Sequence, residues 1–467
     1  MKIVVLIISI FITLCVFSQN GITGNWEGIM KSMQGGELIF VLKIQKNKEN
    51  PVLFYCPSLG IREIKVEKVK IKPDTISFSI PEMKGRFSGK LTNDSTIEGF
   101  FSQSIINNPI TLYRKEKVKE ILRPQEPVPP FPYVESKVKF ENKEAGIKLS
   151  GTLTLPKESY KAPCVILISG SGQQNRDEEL LGHKPFLVLS DYLTRHGIAV
   201  LRYDDRGAGE SEGNPFLATS RDFAGDLKSA IKFLRNHKGI NSSDIGLIGH
   251  SEGGIIAGMV AAEDTTISFV IALAGPSLPG DIILQEQTKL ILANQGVEES
   301  LIAKNMKVSK KIHKILKKDL SDKVLSEKIT KEYKRLVKKL SPEELTQLGL
   351  QESTLNISVQ QLITPWFKFF VKYNPALDYS KIKCPFLGLN GSEDIQVPAV
   401  LNEKGYKEIF VGIGKTDYEL KTFKGLNHLF QTCNTCEIME YGLIEETFNE
   451  EVMLYIKDWI LKNRKKR

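Results

Sequence analysis

The chain has 467 residues, of which 41% are hydrophobic and 25% are charged. It is therefore too long for one compact domain and too apolar for a disordered protein. Six cysteines are too few for a fold held together mainly by disulfides. The net charge of +9 would suit an anionic partner, but the basic surplus lies mainly in residues 282–378 and in the tail 462–467. Because no nucleic-acid-binding motif accompanies this surplus, we expect no nucleic-acid partner.

Residues 1–18 have the pattern of a cleaved secretory signal peptide. One positive charge precedes an apolar run, residues 3–17, which is shorter than the roughly 20 residues that cross a bilayer. Val16 and Ser18 would occupy the small-residue positions before the cleavage site. An uncleaved anchor is the alternative, and lipid attachment at Cys15 fits less well because the residue before it is not small. We predict an exported protein, periplasmic or secreted, with no membrane span after cleavage.

Residues 19–118 predict about eight short strands separated by turn clusters, a pattern typical of a small all-β barrel or sandwich. Gly24-Asn25-Trp26 resembles the opening of lipocalin-like barrels. We expect an accessory domain, and a lipid- or glycan-binding pocket is the alternative. Residues 119–140 follow as a proline-rich linker, because prolines cannot enter a helix or a central strand and favour an extended spacer.

Residues 141–467 predict strands that alternate with helices, for example an apolar strand at 164–168 and an amphipathic helix at 185–196. This alternation is typical of an α/β fold with a doubly wound, mostly parallel sheet, whose ligands bind at the carboxyl ends of the strands. Residues from about 280 to 378 form a helical insert, which we expect to cap the site. The aromatic run at 365–370 either lines the entrance or packs the insert onto the core.

The strongest motif is Gly249-His250-Ser251-Glu252-Gly253, which lies between a predicted strand and a predicted helix. This context is typical of a nucleophile elbow, a turn so tight that the serine adopts a strained backbone and presents its hydroxyl at the tip. Glycines on both sides keep neighbouring Cβ atoms out of the turn. Ser251 is therefore the predicted nucleophile.

A serine hydroxyl needs an adjacent base, and a carboxylate must orient that base. His428 follows the predicted strand at 418–423 and is the expected base, with His183 as the competitor. Asp394 follows the predicted strand at 385–390 and is the expected carboxylate, with Asp281 as the alternative. Every motif lies at a strand end, and the order serine, aspartate, histidine is that of α/β-hydrolases.

An oxyanion hole requires two backbone donors that point at the developing charge. The amide of Glu252 begins the helix after the elbow and is the first predicted donor. The second should come from the glycine-rich loop after the strand at 164–168, where Ser171 is our first choice and Gly172 and Gln173 are the alternates. The charged segment 202–211 is interpreted as a structural network beneath the site.

From about residue 146 to the C terminus, the chain resembles the α/β-hydrolase superfamily. The resemblance rests on the Gly170-Ser171-Gly172 loop followed by Asn-Arg-Asp, on Arg-Tyr-Asp-Asp-Arg-Gly at 202–207, and on Asn427-His428. These motifs are similar to those of secreted or periplasmic bacterial serine esterases related to dienelactone hydrolases and prolyl oligopeptidase-like enzymes. The resemblance implies a serine carboxylesterase that needs no cofactor. One departure is Ser169, where many relatives have a histidine.

The expected reaction is hydrolysis of small-molecule esters, with short- to medium-chain acyl groups, through an acyl-enzyme. A peptidase, amidase or thioesterase could use the same triad, and a non-catalytic binding module on this scaffold is a further alternative. A peptidase would need carboxylates for the substrate's amino terminus, and no glutamate pair is evident from the sequence. Cys433 and Cys436 lack a second ligand pair, so we expect no metal; they form either a local disulfide or free thiols.

Overall fold

The computed structural model describes residues 21–31, 37–45, 48–103, 106–118, 120–157, 161–351 and 354–464. The predicted signal peptide, 1–18, lies outside these ranges. The described residues divide into two compact units: the first runs to Glu120, and the second comprises the residues from Ile121 onwards together with Lys31 and Ser58–Gly60. Within the described ranges, no helix combines the length and the apolar character that crossing a membrane would require.

The first unit is an antiparallel sheet of nine strands that nearly closes into a barrel, which confirms the expected all-β architecture with one strand more than predicted. Across the sheet the order is β4-β3-β2-β1-β9-β8-β7-β6-β5, so that two strands consecutive in the chain stand at its edges. The strands are β1 Gly24–Lys31, β2 Glu37–Ile44, β3 Val52–Cys56, β4 Ile61–Lys65, β5 Glu67–Ile71, β6 Thr75–Ile80, β7 Gly85–Asn93, β8 Thr96–Gln103 and β9 Ile106–Lys115.

Aromatic side chains fill the interior of this first unit. Alternate residues of a strand face opposite sides of the sheet, and the inward positions of β2, β3, β7 and β8 carry phenylalanines. The Phe40 ring lies 4.5 Å from Phe54, 5.6 Å from Phe87 and 5.5 Å from Phe101, between centroids. Hydrophobic burial and ring contacts therefore hold the sheet together. Its lipocalin-like character stays a prediction.

The second unit contains a mixed sheet of eight strands in the order β10-β11-β13-β12-β14-β15-β16-β17. The pairs β10–β11 and β11–β13 are antiparallel and the other pairs are parallel. The expected mostly parallel sheet is therefore confirmed. The strands are β10 Tyr133–Asn142, β11 Ile147–Pro156, β12 Ala162–Ile168, β13 Ala199–Tyr203, β14 Ile240–His250, β15 Val270–Leu273, β16 Phe386–Gly391 and β17 Tyr418–Phe423.

Helices cover both faces of this sheet, which explains why the central strands β12 and β15 are apolar at every position. In β12, Ile166 and Ile168 pack into one hydrophobic cluster, while Val165 and Leu167 pack into another on the opposite face. Seven helices, α4 to α10, lie between β15 and β16, where the cap was expected. The helices are α1 Pro185–Arg195, α2 Ser220–Arg235, α3 Glu252–Glu263, α4 Gly280–Asn294, α5 Glu299–Leu316, α6 Asp322–Val337, α7 Pro342–Gln347, α8 Leu355–Leu362, α9 Pro365–Lys372, α10 Ala376–Tyr379, α11 Ala399–Gly412 and α12 Glu450–Asn463.

The structure differs from the sequence prediction at one domain border and in one helix. Residues 133–140, which we assigned to the linker, form most of β10, and this strand pairs with β11 along its whole length. Its alternating pattern was obscured because one face is solvent-exposed and carries charged side chains. Helix α11 was not predicted, since its apolar residues do not follow a clear helical period.

Candidate active site

Ser251 occupies a sharp turn between β14 and α3. Its backbone angles are φ 52° and ψ −120°, a region that costs a non-glycine residue free energy and is found mainly at functional sites. The Ser251 N–H donates to the Leu273 carbonyl of β15 at 2.8 Å, which holds the strained turn against the sheet. A Cβ at Gly249 would collide with the backbone of Gly253, and one at Gly253 would collide with the Ile168 carbonyl. Both glycines are therefore required by close packing.

Asp394 and His428 are joined by a hydrogen bond at the neighbouring strand ends. Asp394 follows β16, and its Oδ1 accepts the N–H groups of Gln396 and Val397 at 2.8 Å each. Its Oδ2 accepts the Nδ1–H of His428, in the loop after β17, at 2.8 Å. Both side chains are buried, with residue exposures of 4%. With Nδ1 engaged, Nε2 is the ring nitrogen left to exchange a proton with a substrate or a nucleophile.

Ser251 and His428 line one cavity at the carboxyl ends of the central strands. Ser251 and His428 lie 143 and 34 residues away from Asp394 along the chain. They meet at the same edge of the sheet because the strands that carry them are parallel. The cap contributes an apolar wall to this cavity, made of Ile283, Leu284, Trp366 and Phe370. The structure thus brings together the predicted nucleophile, base and carboxylate beneath the predicted insert.

Two of the four predicted oxyanion residues line the cavity, namely Ser171 and Glu252. Gly172 and Gln173 are exposed and are not among the cavity-lining residues. Within the described parts of the chain, neither the Ser171 nor the Glu252 N–H donates to a protein acceptor. These two amides are therefore the donors that the geometry favours.

The competing residues lie elsewhere in the unit. His183 is fully buried, with Nδ1 at 2.9 Å from the Thr447 hydroxyl and Nε2 at 2.7 Å from the Tyr441 carbonyl. Asp281 forms an ion pair with Lys317 at 2.7 Å, inside the cap. Neither residue lines the cavity, so both act in packing and local structure.

The Glu252 carboxylate ties the elbow to the cap. Its Oε1 accepts the hydroxyl of Ser220 at 2.5 Å and the indole N–H of Trp366 at 2.8 Å. Burial raises the pKa of Glu252, although the hydroxyl of Ser171 and these two donors oppose the increase. Trp366 stacks on Phe370 at 5.2 Å, so the aromatic run at 365–370 both lines the cavity and packs the insert onto the core.

The charged segment after β13 forms ion pairs outside the cavity. Asp204 accepts from Nε and Nη2 of Arg176 at 3.0 and 2.5 Å, and Arg206 donates to Asp226 at 2.7 Å. Burial would raise the pKa of Asp204, but Arg176 and two backbone N–H groups outweigh it and lower that pKa. These groups hold the loops that carry Ser171, as a structural network would.

Two residues that the sequence did not point to also line the cavity, His250 and Glu178. His250 belongs to the elbow motif, in which only Ser251 and Glu252 were assigned roles. Glu178 lies ten residues after β12, in a loop with no recognisable motif. The described part of the chain contains no cluster of three or more His, Cys, Asp or Glu side chains that could hold a metal ion. Cys433 and Cys436 form a disulfide five residues beyond His428.

Comparison with known proteins identifies the fold. A family model described as serine aminopeptidase, S33, matches residues 185–362, a segment that includes Ser251 and ends before Asp394 and His428. Esterase EstD of Thermotoga maritima is 25% identical over 363 residues, which cover 75% of this chain and 76% of that relative. The second unit has the α/β-hydrolase fold.

Solved structures that are similar to this chain include an α/β-hydrolase and an esterase. The α/β-hydrolase GrgF from Penicillium sp. sh18 is 19% identical with a TM-score of 0.44, covering 71% of this chain and 99% of that chain. The esterase Pf2001 of Pyrococcus furiosus is 18% identical with a TM-score of 0.42, covering 71% and 94%. The matching family model and the esterase relative from Thermotoga maritima support hydrolysis as the reaction of this enzyme.

Proposed function

We propose that this hydrolase cleaves carboxylic esters of small molecules through an acyl-enzyme formed on Ser251. The observation that carries the proposal is the common cavity of Ser251, on its strained turn, and His428, which is oriented by Asp394 at 2.8 Å. A serine on a strained turn that shares a cavity with a histidine of fixed tautomer is an arrangement suited to nucleophilic catalysis.

In the first step, Ser251 Oγ attacks the ester carbonyl while His428 Nε2 takes the hydroxyl proton. Asp394 stabilises the imidazolium that forms and remains ionised. The negative charge on the carbonyl oxygen is held by the N–H groups of Glu252 and Ser171, the first of which begins α3 and adds the positive end of the helix dipole. Collapse of this intermediate releases the alcohol, which receives its proton from His428.

In the second step, water attacks the acyl-enzyme. His428 Nε2 takes a proton from the water, and the same two amides hold the second oxyanion. The intermediate then releases the carboxylic acid, and the proton on His428 returns to Ser251 Oγ. The two half-reactions consume one ester and one water and leave the enzyme unchanged, so that no cofactor is needed.

The cap side of the cavity supports an apolar acyl or alcohol group in the substrate. Ile283, Leu284, Trp366 and Phe370 contribute hydrocarbon and ring surface on that side. Apolar surface removed from water contributes about 25 cal/mol per Å² to binding. We therefore propose short- to medium-chain acyl esters as substrates.

The carboxylates beside Ser251 favour esters over peptides. Glu178 and Glu252 line the cavity, as a site for a substrate's amino terminus would require. However, Glu178 accepts from Gly170 and faces His250, while Glu252 accepts from a serine hydroxyl and an indole. On each carboxylate, Oε1 already has two partners in the protein, which leaves less to offer to an ammonium group.

The test uses a fluorophosphonate probe and a panel of nitrophenyl esters of increasing acyl length, with a feruloyl ester, an acyl thioester and an aminoacyl nitroanilide for comparison. We expect labelling of Ser251, and a loss of kcat of about a million-fold in Ser251→Ala. Full activity in Ser251→Ala, or a preference for the nitroanilide, would contradict the proposal. A preference for the thioester would leave Ser251 as the proposed nucleophile but would change the proposed substrate class from esters to thioesters.

We also propose that the mature enzyme acts outside the cytoplasm. The predicted signal peptide at 1–18 supports this, and so does the disulfide between Cys433 and Cys436, because disulfides persist in oxidising compartments. Fractionation of cells that produce the full chain, with N-terminal sequencing of the product, tests both statements. A cytoplasmic product that retains residues 1–18 would contradict them.

A further inference from the structure

His250 has both ring nitrogens within hydrogen-bond distance of oxygen acceptors. Nδ1 lies 2.9 Å from Glu178 Oε1, and Nε2 lies 3.0 Å from the backbone carbonyl oxygen of His428. A carbonyl oxygen can only accept, so Nε2 must carry a proton. A neutral imidazole has one N–H, so in that state Nδ1 would have to accept a hydrogen bond from a protonated Glu178 carboxyl.

The second contact of Glu178 argues against a protonated carboxyl. The same Oε1 that faces His250 accepts the N–H of Gly170 at 2.6 Å. Such short N–H···O distances are typical of an ionised acceptor, and the hydroxyl oxygen of a carboxylic acid accepts poorly. His250 therefore donates through both nitrogens, as an imidazolium does. Both side chains are buried, with residue exposures of 3% for Glu178 and 7% for His250.

The pair touches all three loops that the proposed mechanism uses. His250 precedes Ser251 on the elbow, Glu178 binds Gly170 next to Ser171, and the His428 carbonyl belongs to the loop of the base. Glu178 is itself held at φ 51°, a conformation that a glutamate adopts only when its surroundings require it. We propose that the buried Glu178–His250 ion pair is a positioning element that sets the oxyanion loop and the His428 loop relative to Ser251.

The charged groups around His250 are consistent with this state. Burial would lower the pKa of His250, but the charge and hydrogen bond of Glu178, the His428 carbonyl and the charge of Asp394 together raise that pKa. The His428 ring is the other titratable group against it, with centroids 4.7 Å apart. Burial raises the pKa of Asp205 well above its ordinary value, and the charges of Glu178 and Glu252 add to the effect.

A raised pKa in the folded state sets the direction of the pH dependence. The ion pair contributes fully at pH values below the ordinary pKa of a histidine, and its contribution is lost as the pH rises through the pKa of His250 in the folded enzyme. Activity should therefore fall on the alkaline side, because a neutral His250 can no longer hold both acceptors. This inference rests on the proposed function only for its kinetic readout.

The first experiment measures the protonation of the ring directly. Long-range ¹H–¹⁵N spectra of the labelled mature enzyme at neutral pH, with His250 assigned through its own backbone, should show protons on both ring nitrogens. In Glu178→Gln, which keeps an acceptor for Gly170 but removes the charge, the ring should become neutral at a lower pH. A neutral His250 in the wild-type enzyme at neutral pH would overturn the proposal, whatever the outcome at Ser251.

The second experiment separates positioning from packing. Glu178→Gln should reduce kcat by about 100-fold, since small displacements of catalytic groups have effects of this size, while KM changes by less than about threefold. Its alkaline limb should move to lower pH. Glu179→Gln, at the exposed neighbouring residue, and His196→Gln, at an exposed histidine, are the matched controls and should behave like the wild type.

The outcomes distinguish this proposal from the proposed function. If Glu178→Gln matches Glu179→Gln in kcat, KM and pH profile, the positioning role is wrong. If Ser251→Ala retains activity, the acyl-enzyme is wrong, and the ring spectra still decide the ion pair. Melting curves and fluorophosphonate labelling of Glu178→Gln test whether the variant is folded. If the variant is unfolded, the ring spectra of the wild-type enzyme decide the proposal.

Discussion

The two units of the chain bury different kinds of side chain. Among the described residues of the antiparallel unit, no Asp, Glu, Lys, Arg or His side chain is buried, and the interior consists mainly of aromatic, aliphatic and sulfur-containing groups. In the second unit, which we call the hydrolase unit, each of five site residues is at least nine-tenths buried, namely Glu178, His250, Glu252, Asp394 and His428. Each of the five has a hydrogen-bond partner in the protein.

This difference shows what each kind of core can do. Burial of a charge costs free energy unless the charge is paired and hydrogen-bonded, whereas burial of a ring is favourable without a specific partner. A hydrophobic interior therefore stabilises a sheet but does not fix a proton or an anion. The hydrolase unit holds charged groups in defined geometry, and its stability must come from the helices that cover the sheet.

After the loss expected for Ser251→Ala, the largest effect should follow from Asp394→Asn, which breaks the pair that orients the base. The amide cannot accept the Nδ1–H as a carboxylate does and favours the wrong tautomer of His428, so we expect kcat to fall about ten-thousand-fold. Ester hydrolysis measures kcat, and a melting curve close to that of the wild type would show that the loss is catalytic. A loss below tenfold would mean that another carboxylate orients the base.

In the antiparallel unit, Phe87→Ala should destabilise by about 4 kcal/mol, because it removes ring contacts with Phe40 and Phe78 and leaves a cavity. The matched control is Phe100→Ala on the neighbouring strand, whose side chain faces outward and is 52% exposed. We expect the control to change the free energy of unfolding by less than about 0.5 kcal/mol. Chemical denaturation measures both, and equal effects would contradict the assignment of inner and outer faces.

In the hydrolase unit, Asp204→Asn should destabilise by about 3 kcal/mol, because it removes the buried carboxylate of the Arg176–Asp204 pair and leaves Arg176 with only the exposed Glu210. The lowered pKa of Asp204 means that its contribution is present above the ordinary carboxyl pKa and is lost as the pH falls through the folded-state pKa. The difference in the free energy of unfolding between the wild type and Asp204→Asn should therefore decrease at acidic pH.

The exposed pair Lys228–Glu263 provides the comparison for Asp204. Lys228→Met should cost less than about 1 kcal/mol, since water and salt screen both charges. Unfolding measured at neutral and acidic pH separates the two variants. If Asp204→Asn were as mild as Lys228→Met, the ion pairs after β13 would not hold the loop that carries Ser171.

Apart from the two surface controls, the smallest effect on the free energy of unfolding should follow from Trp366→Phe. This change keeps a ring beside Phe370 but removes the N–H that Glu252 accepts. We expect a cost of about 1 kcal/mol and a KM that rises less than tenfold with little change in kcat. Because burial raises the pKa of Glu252, its protonated form is favoured in the folded state, and the cost should decrease at low pH, where a neutral carboxyl needs fewer donors. A large drop in kcat would instead place Trp366 at the reacting atoms.

Local patterns predicted most of the elements that carry the site. The strands at 164–168, 385–390 and 418–423 lie within two residues of β12, β16 and β17, because buried parallel strands are short apolar runs bounded by turns. The elbow was recognisable because its chemistry depends on neighbouring residues. Strand β10 was missed because its exposed face is charged, and α11 was missed because it lacks a helical apolar period.

The sequence by itself determined the α/β fold and the elbow at Ser251, and it predicted His428 and Asp394 as partners, because these depend on short-range patterning and on the rule that ligands lie at strand ends. Only the tertiary structure decided which carboxylate reaches which imidazole. Glu178 and His250 are 72 residues apart, and although His250 belongs to the elbow motif, no local motif marks Glu178 as its partner. Their pairing depends on the packing of three loops at one sheet edge, which is a property of the folded chain and not of any segment.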